Sequence, residues 1–304
     1  MENTILRQLT AVLPPDIAEV LRALPPARFA ELEELHFRTG CEVTAVFGGR
    51  PEVPLTIRKP ILCTLATLRF LINAATGYSV YAAGETLRQG FIPLRGGHRL
   101  GICGEAVVEN GAVTALKHPS SACLRVARQR PGCADGLLTA LGEKPEDLLI
   151  AGPPGSGKTT LLRDLVRQLS GRLECRVAVV DSRGELAASF EGVPQLDVGR
   201  CTDVVSLIPK DRGMELVLRA MNPEWISVDE ITAPEDVEAM MRASYCGVRL
   251  LATAHAFDAQ DLLRRPVYRR LTELSIFETV VILDRKKNFR IKRIRREKGE
   301  TSWV

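Results

Sequence analysis

One short segment limits what this chain can fold into more than any other. Residues 152–159 read Gly-Pro-Pro-Gly-Ser-Gly-Lys-Thr and match the pattern G-x-x-x-x-G-K-[ST] in full. A strand-like apolar run, 148–151, precedes this segment, and a helix-like run, 160–169, follows it. In that context the glycine-rich backbone amides and the helix N-terminus can surround phosphate oxygens. The segment therefore predicts a nucleoside triphosphate site at the start of a helix.

The pattern also assigns roles within the loop. Lys158 is expected to reach the β- and γ-phosphates, and Thr159 to ligate Mg²⁺, so ATP and Mg²⁺ are the expected ligands. The alternative is a glycine-rich turn before a helix, which the matched flanks disfavour. The predicted nucleotide contacts are Gly152, Pro153, Pro154, Gly155, Ser156, Gly157, Lys158, Thr159 and Thr160.

Composition narrows the class of protein. A chain of 304 residues with 45% hydrophobic and 26% charged residues suits two globular domains. The eight cysteines are scattered without a C-x-x-C pair, which argues against a zinc site or a disulfide framework and favours a reducing cytoplasm. No apolar run approaches the roughly 18 residues of a membrane span, and the N-terminus lacks the features of a secretion signal. Docking onto a membrane complex stays open.

Hydrophobic periodicity divides the chain in two. Residues 1–131 predict a smaller α+β domain, with helical structure in the first 24 residues and over 64–76, and strands within 33–47 and 91–127. The last of these strands are 112–116, after a hairpin turn at Asn110-Gly111, and 122–127. Pro131 and Gly132 mark a linker, and residues 132–304 then alternate between strands and helices. Short apolar strands separated by helices indicate an α/β domain with a mostly parallel sheet covered on both faces. Its predicted strands are 148–151, 176–181, 225–229 and 250–255, followed by a hairpin over 279–294.

An acidic pair ends the third of these strands. Residues 226–230 read Ile-Ser-Val-Asp-Glu, about 70 residues after Lys158, and form a Walker B pattern. Asp229 is expected to hold Mg²⁺ through its water shell, and Glu230 to polarise the attacking water. The alternative is two solvated acids at a strand end.

Two further segments lie where strands end. Asp181 and Glu185 follow the second strand, and because ligands sit at the carboxyl ends of parallel strands, both are expected to face the nucleotide. Glu185 is a candidate to share water activation with Glu230, although a polar connecting loop is an equal alternative. His255 ends the fourth strand and is a candidate γ-phosphate sensor, against the alternative of a structural histidine.

The order of these motifs resembles a known superfamily. The phosphate loop (152–159), an acidic box (181–185), Walker B (226–230) and a His box (253–256) occur in this order. The same order is found in the secretion-superfamily traffic ATPases of type II and type IV systems. Residues 215–230 are similar to that superfamily's stretch of Leu, Arg and Pro before Walker B. Residues 33–40 and 89–106 are similar to the signature of its sporulation-specific branch, the stage III sporulation protein AA family. The resemblance covers nearly the whole chain.

The resemblance carries its own implications. It implies a RecA-like P-loop motor domain after the α+β domain, with ATP between the two, in a ring that is a homo-hexamer. It implies partners among membrane channel proteins of the sporulating cell, with the ring peripheral at the cytoplasmic face in the mother cell. It also implies arginine contacts to the nucleotide, for which the candidates are Arg95, Arg99, Arg125 and Arg219, against the alternative of ordinary surface residues.

Some positions depart from the superfamily pattern. Walker B ends in Asp229-Glu230 where Gly-Glu is usual, and the His box reads Thr-Ala-His-Ala where Thr-Leu-His-Thr is usual. The tetracysteine zinc module of some type II members is absent. These departures leave open how Glu185 and Glu230 divide the activation of water.

Four functions compete on the sequence alone. An ATPase motor leads, with catalytic candidates Lys158, Glu185, Arg219, Glu230 and His255, and a nucleotide-gated scaffold with little hydrolysis is the main alternative. A nucleic-acid translocase is disfavoured by the net charge of +4 and by the lack of an aromatic stacking platform. A small-molecule kinase fits least, because adjacent carboxylates after Walker B suit water activation.

The basic stretch 285–298 fits the solvated face of an edge hairpin better than a docking site for acidic lipids.

Overall fold

The structure is a computed structural model that describes residues 2–56, 59–77, 90–109, 111–142, 146–297 and 300–303. It separates into two compact units, Met1–Arg128 and Gln129–Val304. The division thus falls after residue 128, whereas the sequence predicts a boundary after residue 131. Among the described residues, no helix is both long enough and apolar enough to cross a membrane.

The helices of the first unit begin where the sequence places helix-start signals. Pro15 and Pro26 occupy first-turn positions, where the missing N–H costs nothing. Thr64 caps the fourth helix by accepting the backbone N–H of Thr67, whose side chain reciprocates. The helices are α1 (Glu2–Thr10), α2 (Pro15–Ala23), α3 (Pro26–Ala30) and α4 (Leu65–Ala75).

A six-stranded antiparallel sheet completes this unit, in the order β3-β2-β1-β6-β5-β4. Leu35 and Phe37 on β1 are fully buried in the core beneath the helices, so the residues that alternate with them lie on the opposite face. The strands are β1 (Leu32–Arg38), β2 (Thr44–Phe47), β3 (Val53–Pro54), β4 (Phe91–Pro93), β5 (Arg99–Glu109) and β6 (Ala112–Arg125).

Two strands predicted from the sequence form a single strand, β6, in the structure. The predicted strand at 112–116 and most of the one at 122–127 belong to a single strand, which ends at Arg125 and pairs with both β1 and β5. A register shift between Cys103 and Glu105 absorbs the interruption around His118 and Pro119. Gly104 permits this close approach, since a Cβ there would lie 2.6 Å from the Lys117 carbonyl oxygen. The Asn110 side of the predicted hairpin turn lies outside the described residues.

The second unit is an eight-stranded mixed sheet with helices on both faces. Its order is β14-β13-β12-β7-β11-β10-β8-β9, parallel from β12 to β9 and antiparallel from β12 to β14. The helices are α5 (Asp135–Leu141), α6 (Lys158–Gly171), α7 (Lys210–Ala220), α8 (Pro234–Tyr245), α9 (Ala259–Arg264) and α10 (Pro266–Glu273). The strands are β7 (Leu148–Gly152), β8 (Val177–Asp181), β9 (Thr202–Ser206), β10 (Trp225–Val228), β11 (Arg249–His255), β12 (Thr279–Leu283), β13 (Phe289–Glu297) and β14 (Glu300–Trp303).

Two hydrophobic clusters fill the two faces of this sheet, one beneath α6 and the other beneath α7 and α8. Every residue of β7, β8 and β10 is buried, as strands covered on both faces require. The carboxyl ends of β7, β8, β10 and β11 therefore meet at one edge. The described structure contains every strand that the sequence predicts in this unit, and it adds β9 and β14.

Candidate active site

The phosphate loop connects β7 to α6 at this edge, and its backbone conformation explains why three of its positions are glycine. Gly155 and Gly157 have φ values of +75° and +94°, in the left-handed region that favours glycine. A Cβ on Gly152 would lie 2.9 Å from the Leu283 carbonyl oxygen and 2.6 Å from Ser156 Oγ. The glycines of the motif thus allow a turn that L side chains would obstruct.

The loop fits a polyphosphate ligand. The hydroxyl of Ser156 is buried and has no hydrogen-bond partner among the described residues. A buried hydroxyl needs a partner, and a phosphate oxygen at the N-terminus of α6 would supply one. The open space beside Gly155 and Gly157, where an added Cβ would meet nothing within 4 Å, leaves the backbone approachable.

Lys158 is the first residue of α6 and is 6% exposed. Its ammonium donates to the carbonyl oxygens of Gly152 and Pro153, each at 3.0 Å, and to His255 Nδ1 at 3.2 Å. Burial lowers the pKa of Lys158, and the carboxylates of Asp229 and Glu230 oppose that shift. The cation is therefore held inside the loop by neutral acceptors, with two acids nearby.

Thr159 and Asp229 join the loop to the end of β10. The Thr159 hydroxyl donates to Asp229 Oδ2 at 2.8 Å, and the hydroxyl of Thr253 on β11 donates to Oδ1. Burial raises the pKa of Asp229, while these two hydroxyl groups lower it. The two residues predicted to bind Mg²⁺ are in direct contact, and a hydroxyl beside a carboxylate is a donor set that Mg²⁺ accepts.

Glu230 follows Asp229 in a left-handed conformation, with a φ of +54°. Its N–H donates to Thr253 Oγ1 at 2.8 Å, which fixes the turn. One carboxylate oxygen lies 3.2 Å from His255 Nε2, and the other accepts a hydrogen bond from Arg183. The backbone turn thus places this carboxylate next to the His box.

His255 connects the lysine to the acid. Burial lowers the pKa of His255, and so does the nearby Lys158 ammonium, which favours the neutral ring. Because Lys158 donates to Nδ1, the neutral ring carries its proton on Nε2, which lies 3.2 Å from Glu230 Oε1. His255 therefore contacts both Lys158 and Glu230.

Asp181 ends β8 at this edge, and its carboxylate is bound by its own loop. It is 1% exposed, and its carboxylate accepts the backbone N–H groups of the following loop. The distances are 2.8 Å from Glu185, 3.1 Å from Leu186, 2.8 Å from Ala187 and 3.3 Å from Ala188. The carboxylate at the end of β8 is a loop organiser, because the chain folds back over it.

Glu185 is half-buried on this loop, close enough to Asp229 to raise its pKa. Arg163 of α6 donates to the carbonyl oxygens of Glu185 and Leu186, each at 2.6 Å. The helix that carries the phosphate loop is thereby tied to the loop that carries Glu185.

Of the predicted arginines, three lie on the first unit and Arg219 lies on the second. Arg219 is exposed on α7 and pairs with Glu215 one helical turn away, so within one chain it is outside the group around Lys158. Arg99 stacks over the Phe91 ring at 4.1 Å, and Arg125 Nε lies 3.4 Å from Glu34. Arg95 is exposed in a 3₁₀ turn. The last three belong to the first unit, and all four nucleotide contacts stay predictions.

Sequence reasoning missed three residues that organise this site. Thr253 bridges Asp229 and Glu230, Arg183 pairs with Glu230, and Arg163 anchors the Glu185 loop. Thr253 is a hydroxyl residue in an apolar strand and is fully buried, which is a detectable signal because buried polar groups need partners. The arginines left no such signal, since most arginines are exposed.

Comparison with known proteins identifies a family. The sequence model described as "Sporulation stage III, protein AA" matches residues 4–302. The chain belongs to this family. A member from Bacillus subtilis (strain 168), "Stage III sporulation protein AA", is 34% identical over 287 residues, covering 93% of this chain and 92% of that protein. The resemblance inferred from the motifs is therefore confirmed.

More distant likenesses connect the sporulation stage III protein AA family to secretion proteins. "Type II secretion system protein E" of Pseudomonas aeruginosa is 32% identical over 132 residues, covering 43% of this chain and 25% of that protein. The structure of the Legionella pneumophila ATPase DotB superposes with a TM-score of 0.59 at 20% identity, covering 93% of this chain and 77% of that one. The pilus retraction motor PilT with bound ADP gives 0.53 at 17% identity, covering 91% and 79%. The family member thus shares the mixed α/β fold of these ATPases.

Proposed function

We propose that this protein is a traffic-type ATPase that binds ATP with Mg²⁺ on a RecA-like P-loop domain and hydrolyses it. The contact that carries the proposal is the 2.8 Å hydrogen bond from Thr159 to Asp229, which joins the phosphate loop to Walker B. Glu230 lies one residue beyond, in contact with His255. A phosphate loop alone would support binding, whereas an adjacent second carboxylate also supports water activation.

The binding part of the mechanism follows from the loop. Thr159 and Asp229 would hold Mg²⁺, which when bound offsets the charge of the phosphates. The backbone N–H groups at the start of α6 and the Ser156 hydroxyl would receive phosphate oxygens. Lys158, held by two carbonyl oxygens and His255, needs only to exchange neutral acceptors for charged ones to reach the β- and γ-phosphates.

The hydrolytic part rests on Glu230. We assign water activation to Glu230 because Thr253 fixes its backbone and His255 contacts its carboxylate. Glu185 supports the charge of the site from the loop that Arg163 and Asp181 hold. His255 contacts both Glu230 and Lys158. A change at the γ-phosphate would therefore alter the contacts of both residues.

One observation favours the scaffold alternative. Both carboxylate oxygens of Glu230 are engaged, one by His255 and the other by Arg183. Arg183, whose side chain is 61% exposed, and His255 would compete with a water molecule for this carboxylate. Hydrolysis by the isolated chain would then be slow, and ATP binding would serve mainly to order an assembly.

The assembly is also part of the proposal. We infer a homo-hexameric ring, peripheral at the cytoplasmic face of a membrane channel complex in the mother cell during sporulation. Family membership and the likeness to the pilus retraction motor PilT support it. Arg219, and Arg95, Arg99 and Arg125 of the first unit, are proposed to complete nucleotide sites in that assembly.

Glu230→Gln tests the hydrolysis. The variant is expected to lose at least about 100-fold in Mg-ATP turnover, because the amide cannot accept a proton from water. Binding of a fluorescent ATP analogue should persist, since Lys158 and Thr159 are untouched. Glu235→Gln, an exposed acid on α8, is the matched control and should turn over normally.

The outcomes separate the two functions. Unchanged turnover in Glu230→Gln would remove Glu230 from the mechanism. Loss of turnover together with normal spore formation in cells that carry the variant would favour the scaffold over the motor.

Thr253→Val tests the positioning of the acidic pair. The swap keeps shape but leaves the Glu230 N–H without its acceptor and Asp229 without one donor. We expect a loss of about 1 to 3 kcal/mol in the free energy of unfolding and at least a tenfold fall in kcat, with a smaller change in KM for ATP. Steady-state kinetics and chemical denaturation measure both, and Thr253→Ser should restore them. A Val variant with normal kcat would contradict the role.

A further inference from the structure

The outer face of the first unit's sheet carries a second group of potential metal ligands. Glu34 and His36 are alternate residues of β1, on the face opposite the buried Leu35 and Phe37. Cys123 of β6 lies directly across the antiparallel ladder from His36. Sheet register thus brings three ligand types together from positions almost 90 residues apart.

The distances are close to those of a tetrahedral metal site. His36 Nε2 lies 2.9 Å from Glu34 Oε2 and 3.9 Å from Cys123 Sγ, and the ligand atoms of all three residues lie within 4.8 Å of one another. Ligand bonds of about 2.0 to 2.3 Å at a tetrahedral zinc imply separations of about 3.3 to 3.6 Å. Side-chain shifts of about 1 Å would therefore close the set on one ion.

The neighbouring charges leave these three atoms available. Arg125 approaches the other oxygen of Glu34, Oε1, at 3.4 Å. Arg38 forms a bidentate pair with Glu52, at 2.7 and 2.9 Å, which keeps that carboxylate occupied although it lies 3.7 Å from His36 Nε2. Arg38 also approaches His36 Nδ1 at 3.4 Å, a long contact that would be lost once a metal on Nε2 moved the ring proton to Nδ1. The fourth metal position would go to water.

The ligand types at this site favour one class of cation. Sulfur and imidazole together select zinc-like cations, whereas the Thr159 and Asp229 oxygens suit Mg²⁺.

We propose that Glu34, His36 and Cys123 form a binding site for Zn²⁺ on the first unit, with one position left to water. All three ligands belong to the first unit. Three protein ligands from two adjacent strands would tie β1 to β6 at the centre of the sheet. Bound Zn²⁺ would therefore stabilise the first unit.

Cobalt provides the test, because Co²⁺ substitutes for Zn²⁺ and absorbs strongly when a thiolate ligates it. Reduced, metal-stripped full-length protein should bind one equivalent of Co²⁺ with a thiolate charge-transfer band, and Zn²⁺ should abolish that band. Cys123→Ser should remove the band, and His36→Gln should weaken Co²⁺ binding at least about tenfold. Cys246→Ser, an exposed cysteine of the second unit, is the matched control and should leave the titration unchanged.

Several results would overturn the site. A band that survives Cys123→Ser would belong to another cysteine, and Co²⁺ bound without a thiolate band would belong to an oxygen site such as Thr159 and Asp229. Should Cys123→Ser fail to fold, His36→Gln decides, since glutamine keeps a polar group near Glu34. Unchanged Co²⁺ affinity in a folded His36→Gln protein would refute the proposal.

Discussion

Lys158→Ala is expected to lower Mg-ATP turnover by at least about 10³-fold, the largest kinetic effect predicted for this chain. The ammonium is the cation nearest the loop, and its removal deletes the group that would offset the negative charge of the β- and γ-phosphates. It also deletes the partner that donates to His255 Nδ1 at 3.2 Å. The histidine would then lose the contact that fixes its tautomer and would orient Glu230 less well.

The loss should not come from unfolding. Lys158 is buried at the cost of desolvation, so its removal should leave the melting temperature within a few degrees of that of the unmodified chain. Turnover is measured with the purified full chain and saturating Mg-ATP, and melting is followed in the same samples. Lys286→Ala, an exposed lysine between β12 and β13, should turn over normally. Residual turnover above a tenth of the control value in a folded Lys158→Ala protein would contradict the assigned role.

Much of the second unit could be predicted from the sequence because its signals are local. Strands β7, β8, β10 and β11 are short apolar runs, and eight consecutive residues identify the phosphate loop. The edge strand β9 was missed because its residues are only partly buried and it lacks that apolar run. Local patterns identify buried strands well and edge strands poorly.

The contacts of individual side chains were harder to predict, because they depend on which distant segments of the backbone pack beside them. Asp181 and Asp229 both end buried strands, yet one binds its own loop and the other binds Thr159. The Walker B pattern predicts a metal-binding role for Asp229, but no local pattern shows that the backbone of 185–188 returns to Asp181. Arg219 likewise stands near Walker B in the sequence and points to Glu215 in the fold.

Register has the same effect on metal ligands. The absence of C-x-x-C argued against zinc, and that reasoning covers only ligands adjacent in sequence. His36 and Cys123 meet because β1 and β6 pair in one register out of several, and a slip of one residue would send them to opposite faces. Sequence spacing therefore cannot reveal a site that strand pairing assembles.

Asp181→Ala is expected to lower the free energy of unfolding of the second unit by about 3 to 5 kcal/mol. The buried carboxylate accepts four backbone N–H groups, and its removal leaves those donors without their acceptor in a site closed to water. Hydrogen bonds to a charged group contribute about 1.5 to 3 kcal/mol each, but the loop can relax, so the total falls below their sum. For a unit of this size the melting temperature should fall by about 10 °C.

The variant should also impair hydrolysis in protein that remains folded at low temperature, because Glu185 is held by the same loop. Asp203→Ala, an exposed acid on the neighbouring β9, is the matched control and should change stability by less than about 0.5 kcal/mol. Asp181→Asn keeps one acceptor oxygen and should lose less than the alanine variant. Equal stability of Asp181→Ala and Asp203→Ala would contradict the role of this carboxylate in holding the loop.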